Sequence, residues 1–288
     1  MKTELLSPAG SFEGLKAVIN AGADAVYLGG KKFGARAYAE NFDENSLIEA
    51  IRYAHIFGVA VHMTVNTVLK EDEAEELISF LKPYYEAGLD AVIVQDLGAV
   101  EVIRKNFPEL QIHLSTQLSV CGPETVNALK EKGISRVVVS RELSLEEISS
   151  IRESTGAEIE TFIHGALCYC YSGRCLFSSF LGGRSGNRGR CAQPCRLEYD
   201  AYYNDIRING KKEKYLLSPK DICTLDILPE LIKSGIASFK IEGRMKKPEY
   251  AAGVTSIYRK YIDLFYRDPD NYRVDENDKK FLYDLFNR

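Results

Sequence analysis

The chain has 288 residues, of which 45% are hydrophobic, so it can bury one large core. Its net charge of −4 excludes a uniformly basic protein, so any contact with nucleic acid must come from a local patch. No stretch approaches the roughly eighteen apolar residues of a membrane span, and the N-terminus lacks a signal-peptide layout, so we expect a cytoplasmic protein with reduced thiols rather than disulfides.

A repeated unit runs along most of the chain: a helical pattern ends at a glycine, and a short β-rich run follows within a few residues. Glycine is expected at this position because it adopts the left-handed conformation that ends many helices. Two further β-rich runs lack the glycine. The predicted strands are Glu4–Ser7, Ala25–Leu28, Val59–Val65, Ala91–Val94, Gln111–Thr116, Arg136–Val139, Ile159–Ile163 and Ser238–Ile241.

Eight strands that alternate with helices predict an α/β protein with a (β/α)8, TIM-like barrel, and a doubly wound sheet is the alternative. Local signals support the helices between the strands. Asp43 is predicted to cap one helix, and Ser144 with Glu147 forms a capping box before another. Pro123 suits the first turn of a third helix.

The connection between strands seven and eight is much longer than the others, and residues 168–222 form a cysteine- and arginine-rich insertion. A hairpin is predicted within it, with strands over Tyr199–Arg207 and Lys214–Leu217 and a turn near Asn209. We assign residues 1–266 to the barrel, including this insertion, and 267–288 to the start of a truncated C-terminal extension. In a barrel the insertion lies at the C-terminal ends of the strands, which we call the mouth, where active sites occur.

Four cysteines of the insertion suggest a metal or cluster site: Cys168, Cys175, Cys191 and Cys195. Between Cys168 and Arg196 the charged residues are all arginines. A tetrathiolate zinc site, an iron–sulfur cluster and unligated core cysteines are the three interpretations, and the irregular spacing favours the cluster, of the 4Fe-4S type, over zinc. Cys170 or Cys223 is an alternative ligand for one position. The arginines indicate an anion-binding surface, and Arg184, Arg188 and Arg190 are candidate substrate-binding residues.

Strand alternation places unusual polar side chains inside the barrel. His62 and His113 are predicted to face inward in strands three and five. Burying such groups costs several kcal/mol, on the order of 2–7, so they are expected to pair with each other or to bind a ligand. The candidate catalytic residues are Glu160, His164, Glu242 and Arg244, and the candidate substrate-binding residues of the barrel are Asn66, Gln117, Arg141 and Lys240.

Common catalytic motifs are missing from the sequence. There is no H-E-x-x-H zinc helix, G-x-S-x-G elbow, P-loop or G-x-G-x-x-G phosphate motif. The glycine-rich run at Gly182 follows no predicted strand and is interpreted as a basic loop.

One stretch resembles the signature of a known family. It reads Glu160-x-Phe162-x2-Gly165-Ala166-Leu167-Cys168-x4-Gly173-x-Cys175-x-Phe177-Ser178, with Phe177 where an aliphatic residue is usual. Ser218-Pro219-Lys220-Asp221 and Lys240-Ile241-Glu242-Gly243-Arg244 also fit. The chain is identified as similar to peptidase family U-32, the collagenase-like peptidases, over nearly its whole length.

The resemblance implies two kinds of activity. The family name implies proteolysis of collagen-like substrates. Other branches are similar to proteins of oxygen-independent hydroxylation, which act on a pyrimidine of tRNA or rRNA or on a ubiquinone precursor. They bind an iron–sulfur cluster through four cysteines and use prephenate as hydroxyl donor. Carried over, Cys168, Cys175, Cys191 and Cys195 are the cluster ligands, Arg244 pairs with a dicarboxylate, and the loop arginines contact RNA phosphates.

Three functions are therefore carried forward. The first is iron–sulfur-dependent hydroxylation of an RNA pyrimidine, with prephenate or a similar anion as a partner. The second is a peptidase in which Glu160 and His164 act as acid and base. The third is a non-catalytic scaffold that carries a cluster. The sequence leaves the oligomeric state open.

Overall fold

The computed structural model describes residues 2–286 and contains a closed barrel of eight parallel strands. The first seven barrel strands are β1 Glu4–Pro8, β2 Ala25–Leu28, β3 Ala60–Val65, β4 Ala91–Val94, β5 Gln111–Leu114, β6 Arg136–Val138 and β7 Glu158–Gly165. Beyond them lie β8 Tyr202–Tyr203, β9 Ile206–Arg207, β10 Ile222–Cys223 and the eighth barrel strand, β11 Ser238–Ile241. The barrel closes because β11 pairs with both β7 and β1. The predicted (β/α)8 barrel is confirmed.

Ten helices accompany the strands within residues 2–286. They are α1 Phe12–Asn20, α2 Glu44–Ile56, α3 Glu71–Glu86, α4 Leu97–Asn106, α5 Pro123–Lys130, α6 Leu145–Thr155, α7 Phe177–Gly182, α8 Leu228–Lys233, α9 Pro248–Arg267 and α10 Glu276–Leu285. The predicted caps are confirmed: the Asp43 side chain accepts a bond from Ser46 N, and Ser144 and Glu147 form the capping box. No helix of the described residues is long and apolar enough to cross a bilayer.

The main core lies between the strands and the surrounding helices. Val61 and Met63 of β3 belong to it, whereas His62 and Thr64, which alternate with them, are buried inside the barrel. The alternation of apolar and polar residues in β3 therefore matches the two faces of the strand. Removing such apolar side chains from water contributes roughly 25 cal/mol per Å² and stabilises the barrel.

An irregularity in β7 changes the direction of His164. Lys240 of β11 pairs with Phe162, but the next residue, Ile241, pairs with His164, so β7 carries one extra residue at this point. Such a bulge redirects the side chains that follow it. The prediction that His164 faces the barrel interior is wrong: its ring packs against Tyr250 and Tyr258 of α9.

The insertion crosses the mouth and is fastened to the loops that follow β2 and β3. Val68 N donates to Asn187 O at 3.1 Å, and Ala37 N donates to Gly189 O at 3.2 Å. The guanidinium of Arg188 forms two hydrogen bonds of 2.6 Å to the Glu73 carboxylate in α3. These contacts hold the loop against the barrel.

The insertion contains a hairpin, but it is not the predicted one, because it forms within the predicted strand Tyr199–Arg207 and the predicted partner Lys214–Leu217 is not a strand. β8 pairs with β9 in an antiparallel register, and the turn consists of Asn204 and Asp205, which both have positive φ. Two-residue turns of this kind match the right-handed twist of the strands, and Asn and Asp tolerate the conformation. The chain does turn near Asn209, where Glu213 N donates to Gly210 O at 3.1 Å, and the Asn209 side-chain oxygen accepts a hydrogen bond from Ala201 N.

Candidate functional site

An inner cavity of about 100 Å³ opens at the mouth of the barrel. Its charged lining consists of four cationic residues and one acid, Glu242; the cations are Arg36, Arg141, Lys240 and Arg244. Asn66 and Gln117 also line it, so six of the predicted catalytic and substrate-binding residues meet here. A small cavity with this excess of positive charge is suited to an anion.

Glu242 lies between two arginines. Its carboxylate oxygens are 3.2 Å from Nη2 of Arg36 and 3.3 Å from Nη2 of Arg141. Burial acts to raise the pKa of Glu242, but the charges of Arg36, Arg141 and Arg244 outweigh it and hold the pKa below the usual value. Glu242 is therefore ionised at neutral pH and fixes the positions of both guanidinium groups.

Arg244 is a buried cation, and none of the carboxylates within residues 2–286 lies within 4.0 Å of it. Its Nη1 donates to Thr64 Oγ1 at 2.6 Å. A side chain at position 29 could not coexist with this arrangement, because a Cβ on Gly29 would lie 2.0 Å from Nη1. Burial lowers the pKa of Arg244 to about 10, so the guanidinium remains charged at neutral pH. An anionic ligand would compensate this buried charge.

Lys240 forms the side of the cavity nearest the barrel interior. Its Nζ lies 2.8 Å from Glu160 Oε1 and 4.5 Å from the centre of the Tyr27 ring. Glu160 is fully buried, also lies 3.6 Å from Arg136, and does not line either cavity described here. Glu160 faces the barrel interior as predicted and belongs to an internal ion-pair network, which gives no support to its candidate role as a catalytic residue.

Two polar atoms of the inner cavity have no hydrogen-bond partner within the described part of the chain. They are Oε1 of Gln117, an acceptor, and Nε of Arg141, a donor. Arg141 also lies over the Phe162 ring at 3.9 Å, which holds its guanidinium flat against the wall. Asn66 is already engaged, since its Oδ1 accepts a hydrogen bond from Ala35 N at 2.9 Å. Gln117 and Arg141 therefore each have one buried polar atom that no described group of the protein satisfies.

An outer cavity of about 220 Å³ lies over the inner one and shares with it Arg36, Gln117, Arg141, Cys168 and Glu242 among others. All four predicted ligands line it: Cys168, Cys175, Cys191 and Cys195. Burial raises the pKa of the Cys195 thiol, and the other three thiols raise it further, which shows that the four sulfur atoms sense one another. The thiols therefore converge on one space at the mouth.

Four thiols lining one cavity are donors that could hold either a zinc ion or an iron–sulfur cluster. In tetrahedral zinc coordination the sulfur atoms lie about 3.8 Å apart, as follows from a Zn–S bond of about 2.3 Å. Within residues 2–286, the group of three or more potential ligands within 4.8 Å of one another is His62, His113 and Glu160, not the cysteines. Gln193 N also donates to Cys191 Sγ at 3.3 Å, the kind of bond that tunes metal centres held by thiolates.

The two alternative cysteine ligands lie outside this cavity. Cys170 is hydrogen-bonded to Cys175 but does not line the space between the four thiols. Cys223 lies on β10 opposite His164, 3.8 Å from the hydroxyl of Tyr258. The geometry therefore favours the four predicted cysteines over either alternative.

The three candidate RNA-binding arginines differ in their surroundings. Arg188 pairs with Glu73 of α3 and holds the insertion against the barrel. Arg184 lies 4.9 Å from the centre of the Tyr38 ring, and its Nε donates to the carbonyl of Arg190. Arg190 has an exposed side chain. None of the three lines either cavity.

His164, the remaining catalytic candidate, does not line either cavity. Its Nδ1 lies 3.3 Å from the Tyr258 hydroxyl, and burial lowers its pKa to about 4. His164 is therefore a neutral residue of the packing between β7 and α9, not a proton-transfer group at the mouth.

Sequence reasoning missed Arg36, which lines both cavities and pairs with Glu242. The sequence gives little indication that Arg36 belongs to the site, because the residue lies in a loop after β2 and no recognisable motif surrounds it. The position of that loop, at the mouth and near two glycines, Gly29 and Gly34, is the clue that the sequence offers. The sequence analysis also did not identify Tyr27 as a residue of the site, because an aromatic residue in a strand usually indicates a core position.

Named proteins and a solved structure are similar to this chain. The tRNA hydroxylation protein P1 of Bacillus subtilis (strain 168) is 40% identical over 289 residues, which cover 99% of this chain and 68% of that protein. The 23S rRNA 5-hydroxycytidine C2501 synthase of Escherichia coli (strain K12) is 42% identical, covering 91% of this chain and 39% of that protein. Uncharacterized protease MJ0090 of Methanocaldococcus jannaschii is 42% identical, and the alignment covers 99% of this chain and 71% of that protein.

The structure of the U32 peptidase Mk0906 aligns with a TM-score of 0.55 at 19% identity, covering 83% of this chain and 92% of that one, and supports the fold. The relatives include a synthase and a protease, so the prediction of an enzyme is confirmed, whereas the type of reaction is not fixed by their names. The family model described as peptidase family U32 matches residues 10–288. The chain belongs to peptidase family U32.

Proposed function

We propose that this protein acts in the oxygen-independent hydroxylation of an RNA pyrimidine, with an iron–sulfur cluster held by Cys168, Cys175, Cys191 and Cys195. The observation that carries the proposal is the convergence of these four thiols on one cavity above a cation-lined pocket. Relatives named for tRNA hydroxylation and for rRNA 5-hydroxycytidine synthesis support the substrate class. We place this activity in the cytoplasm, where thiols stay reduced.

The chemistry divides between the two cavities. A bound iron–sulfur cluster would supply one-electron transfer or a coordinating iron at the outer cavity. The chain's own residues hold a small anion beneath it: Arg244 and Arg141 donate to its carboxylates, and Lys240 adds charge from the side of the barrel interior. A dianion such as prephenate, the hydroxyl donor that the family resemblance implies, suits this charge distribution.

The peptidase alternative has weaker support from the geometry. A relative named as a protease and one named collagenase favour it. Its proposed acid and base, however, are Glu160 and His164, which are held in an ion-pair network and in the β7–α9 packing respectively. A peptidase would therefore need other catalytic groups at the mouth.

The deciding experiment is mass spectrometry of nucleosides from total RNA of cells that lack this gene. We expect one hydroxylated pyrimidine to disappear and to return when the wild-type gene or Cys121→Ser is supplied. Cys121 is a matched control because it is an exposed cysteine outside the outer cavity. Cys191→Ser should not restore the nucleoside.

Two other results would redirect the proposal. An unchanged nucleoside profile, together with gelatin cleavage by the purified protein, would replace hydroxylation with proteolysis. Restoration by Arg244→Gln but not by Cys191→Ser would indicate a scaffold that carries a cluster without using the inner pocket.

A further inference from the structure

We propose that an unstacked pyrimidine base of the RNA binds at the rim of the outer cavity, stacked on the ring of Tyr171, with Tyr38 as a second aromatic wall. This inference rests on the proposed function and names the side chains that would hold the target base. Enzymes that act on a base must take it out of the stack, and aromatic side chains commonly receive it.

Tyr171 is an exposed ring on a fixed backbone. It lines the outer cavity, yet 70% of the residue is exposed to solvent. The next residue, Ser172, donates to the Glu142 carboxylate from both its backbone nitrogen and its hydroxyl, and its carbonyl accepts a bond from Ser119. An aromatic ring with two rotatable side-chain bonds on a restrained backbone loses little conformational entropy when a ligand stacks on it.

The position of Gly173 strengthens this restraint. Its φ is +72°, and a Cβ at this position would lie 1.8 Å from the carbonyl oxygen of Gln117. The loop that carries Tyr171 therefore lies directly on the 3-10 turn Thr116–Leu118 that follows β5, where a larger residue would not fit. The backbone next to Tyr171 is therefore held in place beside the outer cavity that the four thiols line.

Tyr38 occupies another part of the same rim. It lines the outer cavity with 63% of the residue exposed, and the Arg184 guanidinium lies 4.9 Å from the ring centre. Its loop is fastened to the insertion through Ala37 N, which donates to Gly189 O. An aromatic ring already paired with an arginine is a common surface for a nucleobase and its phosphate.

The charge of the insertion points to a polyanionic partner. Residues 168–222 contain ten Lys and Arg and five Asp and Glu, whereas the whole chain has 37 and 41. Arg174 and Arg190 have exposed side chains close in sequence to the thiols. The surface around the outer cavity is thus positive on a molecule that is negative as a whole, which favours RNA over an uncharged peptide.

The inference is tested by binding of a labelled short oligouridylate to the cluster-loaded protein, measured by fluorescence anisotropy. Tyr171→Ala should weaken binding roughly tenfold, because stacking on one aromatic ring is worth about 1–3 kcal/mol. Tyr171→Phe keeps the ring and should bind like the wild type. Tyr203→Ala is the matched control, since Tyr203 is also 70% exposed but lines neither cavity.

Salt dependence separates stacking from phosphate contacts. Arg190→Gln should lower the slope of log affinity against log salt by about 1, whereas Tyr171→Ala should leave the slope unchanged. If Tyr171→Ala and Tyr203→Ala weaken binding equally, the stacking site is wrong. If gelatin peptides compete with oligouridylate and are released by Tyr171→Ala, the rim is a peptide site and the inference is also wrong.

The outcome is independent of the gene-deletion experiment. Loss of a hydroxylated nucleoside combined with unchanged binding by Tyr171→Ala would leave the proposed function in place and reject only this base site. An unchanged nucleoside profile with no oligouridylate binding would reject both.

Discussion

The guanidinium of Arg141 lies 3.3 Å from the carboxylate of Glu242, and this contact connects the two cavities, since both residues line each of them. The same carboxylate also pairs with Arg36. One acid thus positions two cations that face a ligand from either side.

Replacement of Glu242 by Ala should destabilise the protein by about 3–5 kcal/mol, because two partly buried guanidinium groups lose their shared counter-charge. Because the pKa of Glu242 is lowered in the folded state, its contribution is present above the unfolded pKa of about 4.3 and is lost as the pH falls below that value. Urea denaturation as a function of pH measures both effects. Equal acid sensitivity in wild type and Glu242→Gln would contradict this account.

The four cysteines of the outer cavity should behave alike, and the other two candidates should not. Cys168→Ser, Cys175→Ser, Cys191→Ser and Cys195→Ser should each lower the iron and sulfide content of anaerobically purified protein. Cys170→Ser and Cys223→Ser should retain it, because neither residue lines the cavity. Colorimetric iron and sulfide assays check this. Zinc in place of iron in the wild type would overturn the cluster.

Arg188 should prove structural rather than RNA-binding. Its two 2.6 Å bonds to Glu73 join the insertion to α3 and lower the pKa of Glu73 to about 2. The contribution of the Glu73–Arg188 pair to the free energy of unfolding is fully present above the unfolded pKa of about 4.3. It is lost as the pH falls towards 2. Arg188→Gln should increase hydrogen exchange in residues 183–190, and Arg190→Gln serves as the control. If Arg188→Gln leaves hydrogen exchange unchanged but weakens RNA binding, Arg188 is an RNA-binding residue and not a structural one.

His164 should affect stability and not the chemistry at the mouth. Burial lowers its pKa to about 4, so its neutral form contributes stability fully above pH 6.5, and this contribution of about 3 kcal/mol is lost as the pH falls from there towards 4. In His164→Gln the free energy of unfolding should depend less on pH over this interval. The iron and sulfide content of the variant should stay unchanged. A loss of hydroxylation at unchanged stability would restore a catalytic role.

The sequence predicted the barrel because each strand and each cap has a local signal. The strands Ala25–Leu28, Ala91–Val94 and Ser238–Ile241 are found with the predicted bounds, and β5 ends two residues early because Ser115 begins a 3-10 turn. The sequence also predicted that four cysteines lie together in one insertion at the mouth. These features depend on neighbouring residues and on topology.

The misplaced residues depend on long-range geometry that no local pattern records. The extra residue in β7 reverses the face of His164, and the sequence signal for it is weak, since the one glycine of the strand, Gly165, follows His164 at the strand end. Glu160 was predicted to face inward correctly, but its distance from the mouth follows from the stagger of β7 against β6 and β11. Arg36 comes to the site only because the loop after β2 folds over the barrel axis.

The shared wall of the two cavities has a kinetic consequence. A molecule seated in the outer space covers Arg36, Arg141 and Gln117, through which the inner space is reached. If the proposed anion and RNA bind in these two cavities, we expect the small anion to enter first and the polymer second, and a saturating polymer should slow the release of the anion.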